Sequence, residues 1–402
     1  MFGWFLRVGQ QMWKDIPYVV LSILIALILL SLHYPVQGGE LTSGMRASAQ
    51  VETGYTSNGT DSAVGEPDVF THHVETLEIA GERDGTAIRG SVTFDQTKFL
   101  TQDIENDDAI GISLAVGQRL SPELVLRGAL SAIASNTGDD WDFAGFYIAT
   151  RTPSVAGEAM VEALLSRDAT EIRLKGSFGG QHYGNSSFPN LPLEPFKLQP
   201  DNTRRDVELV VQQGVGPVRA LGRVAAQAVD VPLADQDNLG RLPARKLLAS
   251  LGGEIAVGEL RLTVEGGGVA IWAAGQQFTR PFARLRAVAT PAGGLSLEAV
   301  GETHVELVDN LDAVGSYDRR LSLAVGYSLQ PDLRALATGE RIYREGLIEP
   351  AITSEETTLT VGLERKVSEN FAYRGRVSRT WYRDYLEAYD KTEFVVGLEG
   401  SI

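Results

Sequence analysis

The chain contains no cysteine. That absence removes disulfides, thiolate metal ligands and a cysteine nucleophile, and with them the acylated cysteine on which a bacterial lipoprotein anchor depends. Positive charge is also short. The 36 Lys and Arg against 52 Asp and Glu leave a net charge of −16, a surface that repels a phosphate backbone and argues against a nucleic-acid partner. Beyond roughly the first forty residues no apolar run is long enough to cross a bilayer as a helix, which excludes a helical membrane protein. Histidine is scarce, with 5 in all. A hydrolytic centre would need one of them beside a nucleophile or an acidic pair, and no such group can be assembled, so neither an enzyme nor a cofactor is expected. His72 and His73 fall on opposite faces of a strand and cannot chelate one metal together. The acidic runs Asp103, Glu105, Asp107, Asp108 and Asp139, Asp140, Asp142 lack the spacing of a calcium loop and read as solvated loop tips, so no metal is expected either.

What the chain does have is glycine, 43 residues, among short segments of Val, Leu, Thr, Ser and Arg, a mix that suits many strands joined by turns. From Met45 to Ile402 the hydrophobic period is two. Ile110, Ile112, Leu114 and Val116 alternate with Gly111, Ser113, Ala115 and Gly117, and Leu124, Leu126, Gly128 and Leu130 with Val125, Arg127, Ala129 and Ser131. Ile172, Leu174, Gly176 and Phe178 oppose Glu171, Arg173, Lys175 and Ser177, and Leu260, Leu262 and Val264 oppose Glu259, Arg261, Thr263 and Glu265. Leu321, Leu323, Val325 and Tyr327 oppose Arg320, Ser322, Ala324 and Gly326, and Phe371, Tyr373 and Val377 oppose Ala372, Arg374, Arg376 and Ser378. One face of each segment is oily and the other polar.

Short turns at 83–85, 121–122, 214–217, 257–258, 291–294, 331–332 and 368–370 alternate with longer polar stretches at about 58–68, 101–108, 183–202, 230–245, 308–316 and 345–356. This is the asymmetry of an outer-membrane barrel, with short periplasmic turns and long external loops. Many segments have roughly 10 to 13 alternating residues, enough to cross a bilayer tilted, whereas soluble strands average about 5 to 6. The expected fold is therefore all-β, a transmembrane antiparallel up-and-down barrel. About nineteen segments alternate, an odd number that breaks the parity of such barrels. Residues 156–166, AGEAMVEALLS after Pro153, also read as a short periplasmic helix, and removing them leaves about 18 strands, with about 16 as the alternative. Ahead of the strands, Arg7 and Lys14 precede an uncharged stretch from Ile16 to Leu32 and a polar turn at His33, Tyr34, Pro35 and Gln37, the layout of a secretory signal. The expected organisation is a signal sequence over 1–38, a periplasmic segment over 39–45 and a barrel over 46–402. An uncleaved inner-membrane anchor is the competing reading of the first segment.

The last strand places Phe394, Val396, Leu398 and Ile402 on one face and Glu399 on the other, and closure requires it to pair with a strand beginning near Arg46. Gly397 fits the C-terminal signal read by the outer-membrane barrel assembly machinery, while Val395, Gly400 and Ile402 depart from it. The stretches GERDGTAIRGSVTFDQTKFLTQDIENDDAIGISLAVGQRLSPELVLRGAL and TTLTVGLERKVSENFAYRGRVSRTWYRDY resemble the outer-membrane β-barrel porin family of proteobacteria. The likeness covers most of 46–402 and lies in cadence more than in unique motifs. It implies an outer-membrane protein in contact with lipid and lipopolysaccharide, forming a passage for small hydrophilic solutes or, beside a polysaccharide export system, for an exported polysaccharide. The family has no catalytic motif to carry over. The alternative is a plugged structural or adhesive barrel whose external loops bind a partner or surface glycan, since the Pro-rich stretch around Phe188, Pro189, Pro192, Pro195 and Phe196 could fold inward.

Candidate pore-lining residues carry both signs: Arg127, Arg173, Lys175, Arg219, Arg223, Arg261, Arg284, Arg286, Arg320, Arg374 and Arg376, with Glu171, Glu208, Glu259, Glu265, Glu298 and Glu302. Such charges either set a transverse field that screens solutes or pair across strands and stiffen the wall. Phe371, Tyr373, Trp381, Tyr382, Tyr385 and Tyr389 are expected to form girdles at the headgroup level.

Overall fold

A computed structural model describes residues 42–402 except 62–64, 84, 144–145, 292, 308–311, 349–351 and 386. The expected signal sequence lies outside the described residues, as do the side chains of Asp140 and Asp142. The chain forms β1 (Thr42–Thr56), β2 (Asp68–Arg83), β3 (Thr86–Phe99), β4 (Asp107–Arg119), β5 (Leu124–Phe143) and β6 (Phe146–Arg167). It continues with β7 (Thr170–Tyr183), β8 (Asn202–Val215), β9 (Val218–Asp230), β10 (Ala244–Val257), β11 (Leu260–Ala273) and β12 (Gln276–Ala289). The last six are β13 (Leu295–Leu307), β14 (Gly315–Gln330), β15 (Leu333–Gly346), β16 (Thr353–Ser368), β17 (Phe371–Arg383) and β18 (Ala388–Ser401). Every strand pairs antiparallel with its neighbours in sequence, and β18 pairs with β1 from Ser48↔Ser401 to Thr56↔Glu393, which closes an 18-stranded up-and-down barrel. Ala47 and Ile402 exchange both backbone hydrogen bonds, at 3.0 and 2.9 Å, so the last residue takes part in closure.

Two-residue alternation decides which way each side chain points. One row of register partners, Leu114, Leu130, Ala159 and Phe178, lies on the outside across β4 to β7. Val161, Leu251, Leu321 and Val396 on that outer face are each about two-thirds exposed or more, which water would not tolerate over a whole barrel surface. Substituting Leu398→Arg therefore puts a charge into the apolar band, at a cost of about 2–4 kcal/mol near its middle and less toward an interface. Glu399→Arg, on the inner face, is expected to keep its folded fraction by gel shift and to change ion preference instead.

The strand total agrees with the sequence reading, but the excluded segment does not. Residues 156–166 belong to β6, a single strand of 22 residues that runs through Pro153. Reading a break at Pro153 splits this strand in two. The proline sits where β7 ends, next to the last β6–β7 pair at Ser154↔Tyr183, so its missing N–H removes little of the ladder. The turn after β6, Asp168-Ala169, has no glycine, proline or asparagine to mark it in the sequence. Asp168 supplies the left-handed conformation, at φ 52°, which Asp tolerates better than most residues. β1 also begins earlier than expected, at Thr42. All six expected long connections lie at one end, but that end also holds the tight Ala274-Gly275 turn between β11 and β12, with φ of 52° and 72°.

Candidate functional site

The inner face is lined by ion pairs between strands, most of them neighbours. Arg127 meets Glu162 at 3.0 Å, Arg284 meets Glu302 at 2.9 Å and Arg286 meets Glu298 at 2.8 Å. Arg223 lies 3.2 Å from Glu265 and 3.5 Å from Glu208, which Arg173 approaches at 3.8 Å. Arg261 faces Glu254 at 3.7 Å, Arg320 bonds Glu340, and Arg374 stands 3.7 Å from Glu364 while bonding Glu399. Arg219 donates instead to the Gln212 amide oxygen at 3.3 Å. Lys175 and Glu171 point inward, with no ion-pair partner among the described residues. Glu259 departs from expectation: it belongs to the Gly258-Glu259 turn between β10 and β11 and not to the wall. Six of the acidic partners, Glu52, Glu162, Glu254, Glu340, Glu364 and Glu399, are absent from the sequence-derived pore-lining set. Their even spacing along each strand was a usable signal, and for Glu162 the helical reading hid it.

The strongest of these contacts bridges the closure. Glu52 on β1 is 2 % exposed and takes two hydrogen bonds from Arg376 on β17, at 2.8 and 2.9 Å, reaching across β18. Gly397 makes this possible, because a Cβ there would sit 2.9 Å from Glu52 Cγ. Gln50 adds a hydrogen bond to Glu52 at 3.0 Å, His72 lies 3.8 Å from the same carboxylate, and the other imidazole nitrogen of His72 meets Asp95 at 2.9 Å. A polar belt thus runs from β3 through β2 and β1 to β17.

A second feature narrows the lumen. β12 and β13 pair only from Arg284↔Glu302 to Ala289↔Leu297, whereas β13 stays with β14 as far as Leu307↔Gly315. Alternation puts Val269, Ile271 and Phe282 on the inner face of β11 and β12, and Val305, Leu307 and Tyr317 on the outer face of β13 and β14. These residues nevertheless form one buried cluster. The two faces meet because the loop-side ends of β13 to β15 bend into the barrel and lie against the inside of β10 to β12. Three polar contacts accompany the apolar ones: Lys246 donates to the Val305 carbonyl, Tyr317 Oη to the Pro281 carbonyl at 3.0 Å, and Arg280 stands 3.8 Å from Glu345. The edge this arm leaves on β12 is covered. Pro281 has no N–H to expose, its carbonyl also accepts from the Thr303 hydroxyl at 3.2 Å, and the Ala283 N–H donates to Thr303 Oγ1 at 2.9 Å.

The Pro-rich stretch does not supply this narrowing. It continues the wall beyond the end of β7, pairing Ser187 with Arg151 and Ser186 with Phe196, with Phe188 buried and stacked on Phe196 at 4.7 Å. Lys197 ties it to the next loop, 2.6 Å from Asp235 in the short helix α1 (Leu233–Leu239) and 2.8 Å from Asp201. In the loop over 57–67, burial pushes the Asp61 carboxyl above its usual range while Lys391, 2.7 Å away, pulls the other way.

The aromatic residues near the C-terminus divide. Tyr373 and Trp381 point outward near opposite ends of β17, and Phe371 meets Tyr373 edge-on at 5.2 Å, as girdles require. Tyr382 and Tyr389, expected in the same girdle, stack at 5.0 Å on the inner face instead. His72 faces the lumen and His73 the outside, as alternation demanded. His182 pairs with Asp201 at 2.6 Å and His304 lies 3.4 Å from Asp318, whose other oxygen takes the Ser316 hydroxyl, so that serine is bonded to the carboxylate and not to the imidazole.

No protein-family model matches the chain, and no curated protein resembles it in sequence. Solved structures resemble it in shape. The copper transporter OprC matches with a TM-score of 0.53 at 8% identity, over 92% of this chain and 81% of that one. A mutant of the ferric enterobactin receptor PfeA from Pseudomonas aeruginosa matches with a TM-score of 0.52 at 9% identity, over 89% and 80%. Pseudomonas aeruginosa OccK2, solved with glucuronate, gives 0.49 at 10% identity, over 90% and 98%. The first two carry the likeness, and at such identities it is one of fold. A closed 18-stranded barrel with an apolar exterior and a polar interior resides in the outer membrane.

Proposed function

We propose that this barrel is a porin-like passage for small hydrophilic solutes and that it performs no catalysis. The observation that carries this reading is the lumen itself: a charge-lined interior in a barrel of a size that leaves an aqueous channel unless something folds inward, and an arm that covers the inner face of β10 to β12 only. A bore narrowed this way suits small solutes better than a polysaccharide strand. OprC, which shares the fold, is a transporter, and that likeness favours passage over adhesion. The partners that follow are outer-membrane lipid, lipopolysaccharide and the barrel assembly machinery. The purified chain is expected to migrate faster unboiled than boiled and to give discrete conductance steps in planar bilayers. Complete extraction from membranes by salt without detergent would end the reading, as would a folded, inserted barrel that gives no steps.

A further inference from the structure

Along the inner wall from β6 to β10 the pattern of ion pairs breaks. Register puts Lys175 between Glu162 and Glu208. Both carboxylates are engaged by arginines, Glu162 by Arg127 at 3.0 Å and Glu208 by Arg223 at 3.5 Å. One step toward the loop end, Asp206 faces Gln227, and Gln227 faces Lys246. Asp206 is saturated by donors: Gln227 Nε2 at 2.6 Å, Arg204 Nε at 2.9 Å and Ser177 Oγ at 3.4 Å. Lys246 donates to the arm, at the Val305 carbonyl. Neither lysine has an ion-pair partner among the described residues. Both line a cavity of about 260 Å³, together with Ser177, Arg204, Asp206, Glu208 and Gln227, with the carboxylate of Glu158, an acceptor for hydroxyls, and with the apolar side chains of Ala225 and Leu248.

A molecule entering this cavity meets two ammonium groups with donors to spare. It also meets the terminal nitrogens of Arg204 and an amide oxygen on Gln227 that Asp206 holds in place. Lysine is a point charge that suits either a carboxylate or a phosphate. The amide and hydroxyl suit the hydroxyls of a compact polar body, and the apolar floor suits its carbon skeleton. The cavity adjoins the arm through Lys246, so a solute passing the narrowed part of the lumen passes this wall. We propose that it is a binding site for a small polyhydroxylated anion, a sugar acid or a sugar phosphate, held briefly in transit. This rests on the passage reading above and adds a solute class to it.

The test is calorimetry on the full, detergent-purified chain with gluconate, with glucose 6-phosphate and with uncharged sorbitol, alongside conductance recordings with the same solutes. One or both anions are expected to bind and to interrupt the current, and sorbitol to do neither. Which anion binds identifies the carboxylate or the phosphate. Lys175→Gln and Lys246→Gln should each weaken binding by about tenfold or more, the loss that follows removal of one charge-assisted hydrogen bond. Heat-modifiable migration checks that both variants fold, and either one suffices if the other does not. A barrel that conducts but binds neither anion, or binds them equally well in both variants, overturns the site. A barrel that binds an anion but never conducts overturns the passage and leaves the site standing.

Discussion

Ile271→Lys is expected to leave the barrel folded and to raise its conductance severalfold. Ile271 has no exposed surface and lies between the inward arm and the inner wall. A lysine there would be an unpaired charge in an apolar layer, and its register partner across the strands, Lys246, has the same sign. Burying a charge without a partner costs several kcal/mol, roughly, a cost comparable with the burial of two or three apolar side chains at about 1.5–3 kcal/mol each, and the substitution removes the apolar contacts of Ile271 as well. The arm can part without opening the wall below it, because the β12–β13 ladder already ends at Arg284↔Glu302. Deleting 185–200 provides the contrast. That segment extends the wall, so its loss should leave conductance near that of the parent chain. Equal conductance for Ile271→Lys and the parent, with both folded, would show that the arm does not limit passage.

Gly397→Leu is expected to destabilise the closed barrel by about 3 kcal/mol, the low end of what is lost when one partner of a buried ion pair is removed, since the Arg376 head is only half buried. The side chain would occupy the space through which Glu52 reaches Arg376. Denaturant titration of the refolded protein reads the loss. Glu52→Ala should cost a similar amount, and the double variant little more than either single one, because both remove the same contact. Additive losses would mean that Gly397 serves β18 in some other way.

Much of this fold was legible because a period of two, kept over 18 strands, has few other solutions. The inner and outer faces of β4, β5, β7, β11, β14 and β17 follow from alternation alone, and so does closure through Leu398 and Ile402. The misread strand β6 had physical grounds: Ala, Glu, Met and Leu at 156–166 are good helix formers, and cross-strand pairing overrode that preference. The ion-pair partners were less legible than the charges, because pairs such as Arg320–Glu340 run diagonally and depend on register, which turn geometry sets. The arm was not legible at all. Val305, Leu307 and Tyr317 continue the outward alternation of their strands, and an apolar outward position reads the same whether lipid or another part of the wall covers it. The inward stack of Tyr382 on Tyr389 was illegible for a related reason: clustering near strand ends does not by itself assign a ring to a face.

Because the chain has no cysteine, one introduced thiol at a time along β16 reports directly on whether one face meets lipid and the other a water-filled lumen. Thr358, Thr360 and Gly362 lie on the inner face, and Leu359, Val361 and Leu363 on the outer face, half or more exposed. With the protein in bilayers, a charged thiol reagent in the medium should modify cysteines at 358, 360 and 362 and lower the conductance as it does so, while those at 359, 361 and 363 stay unmodified. The reverse alternation, or equal reactivity at all six positions, would contradict the account.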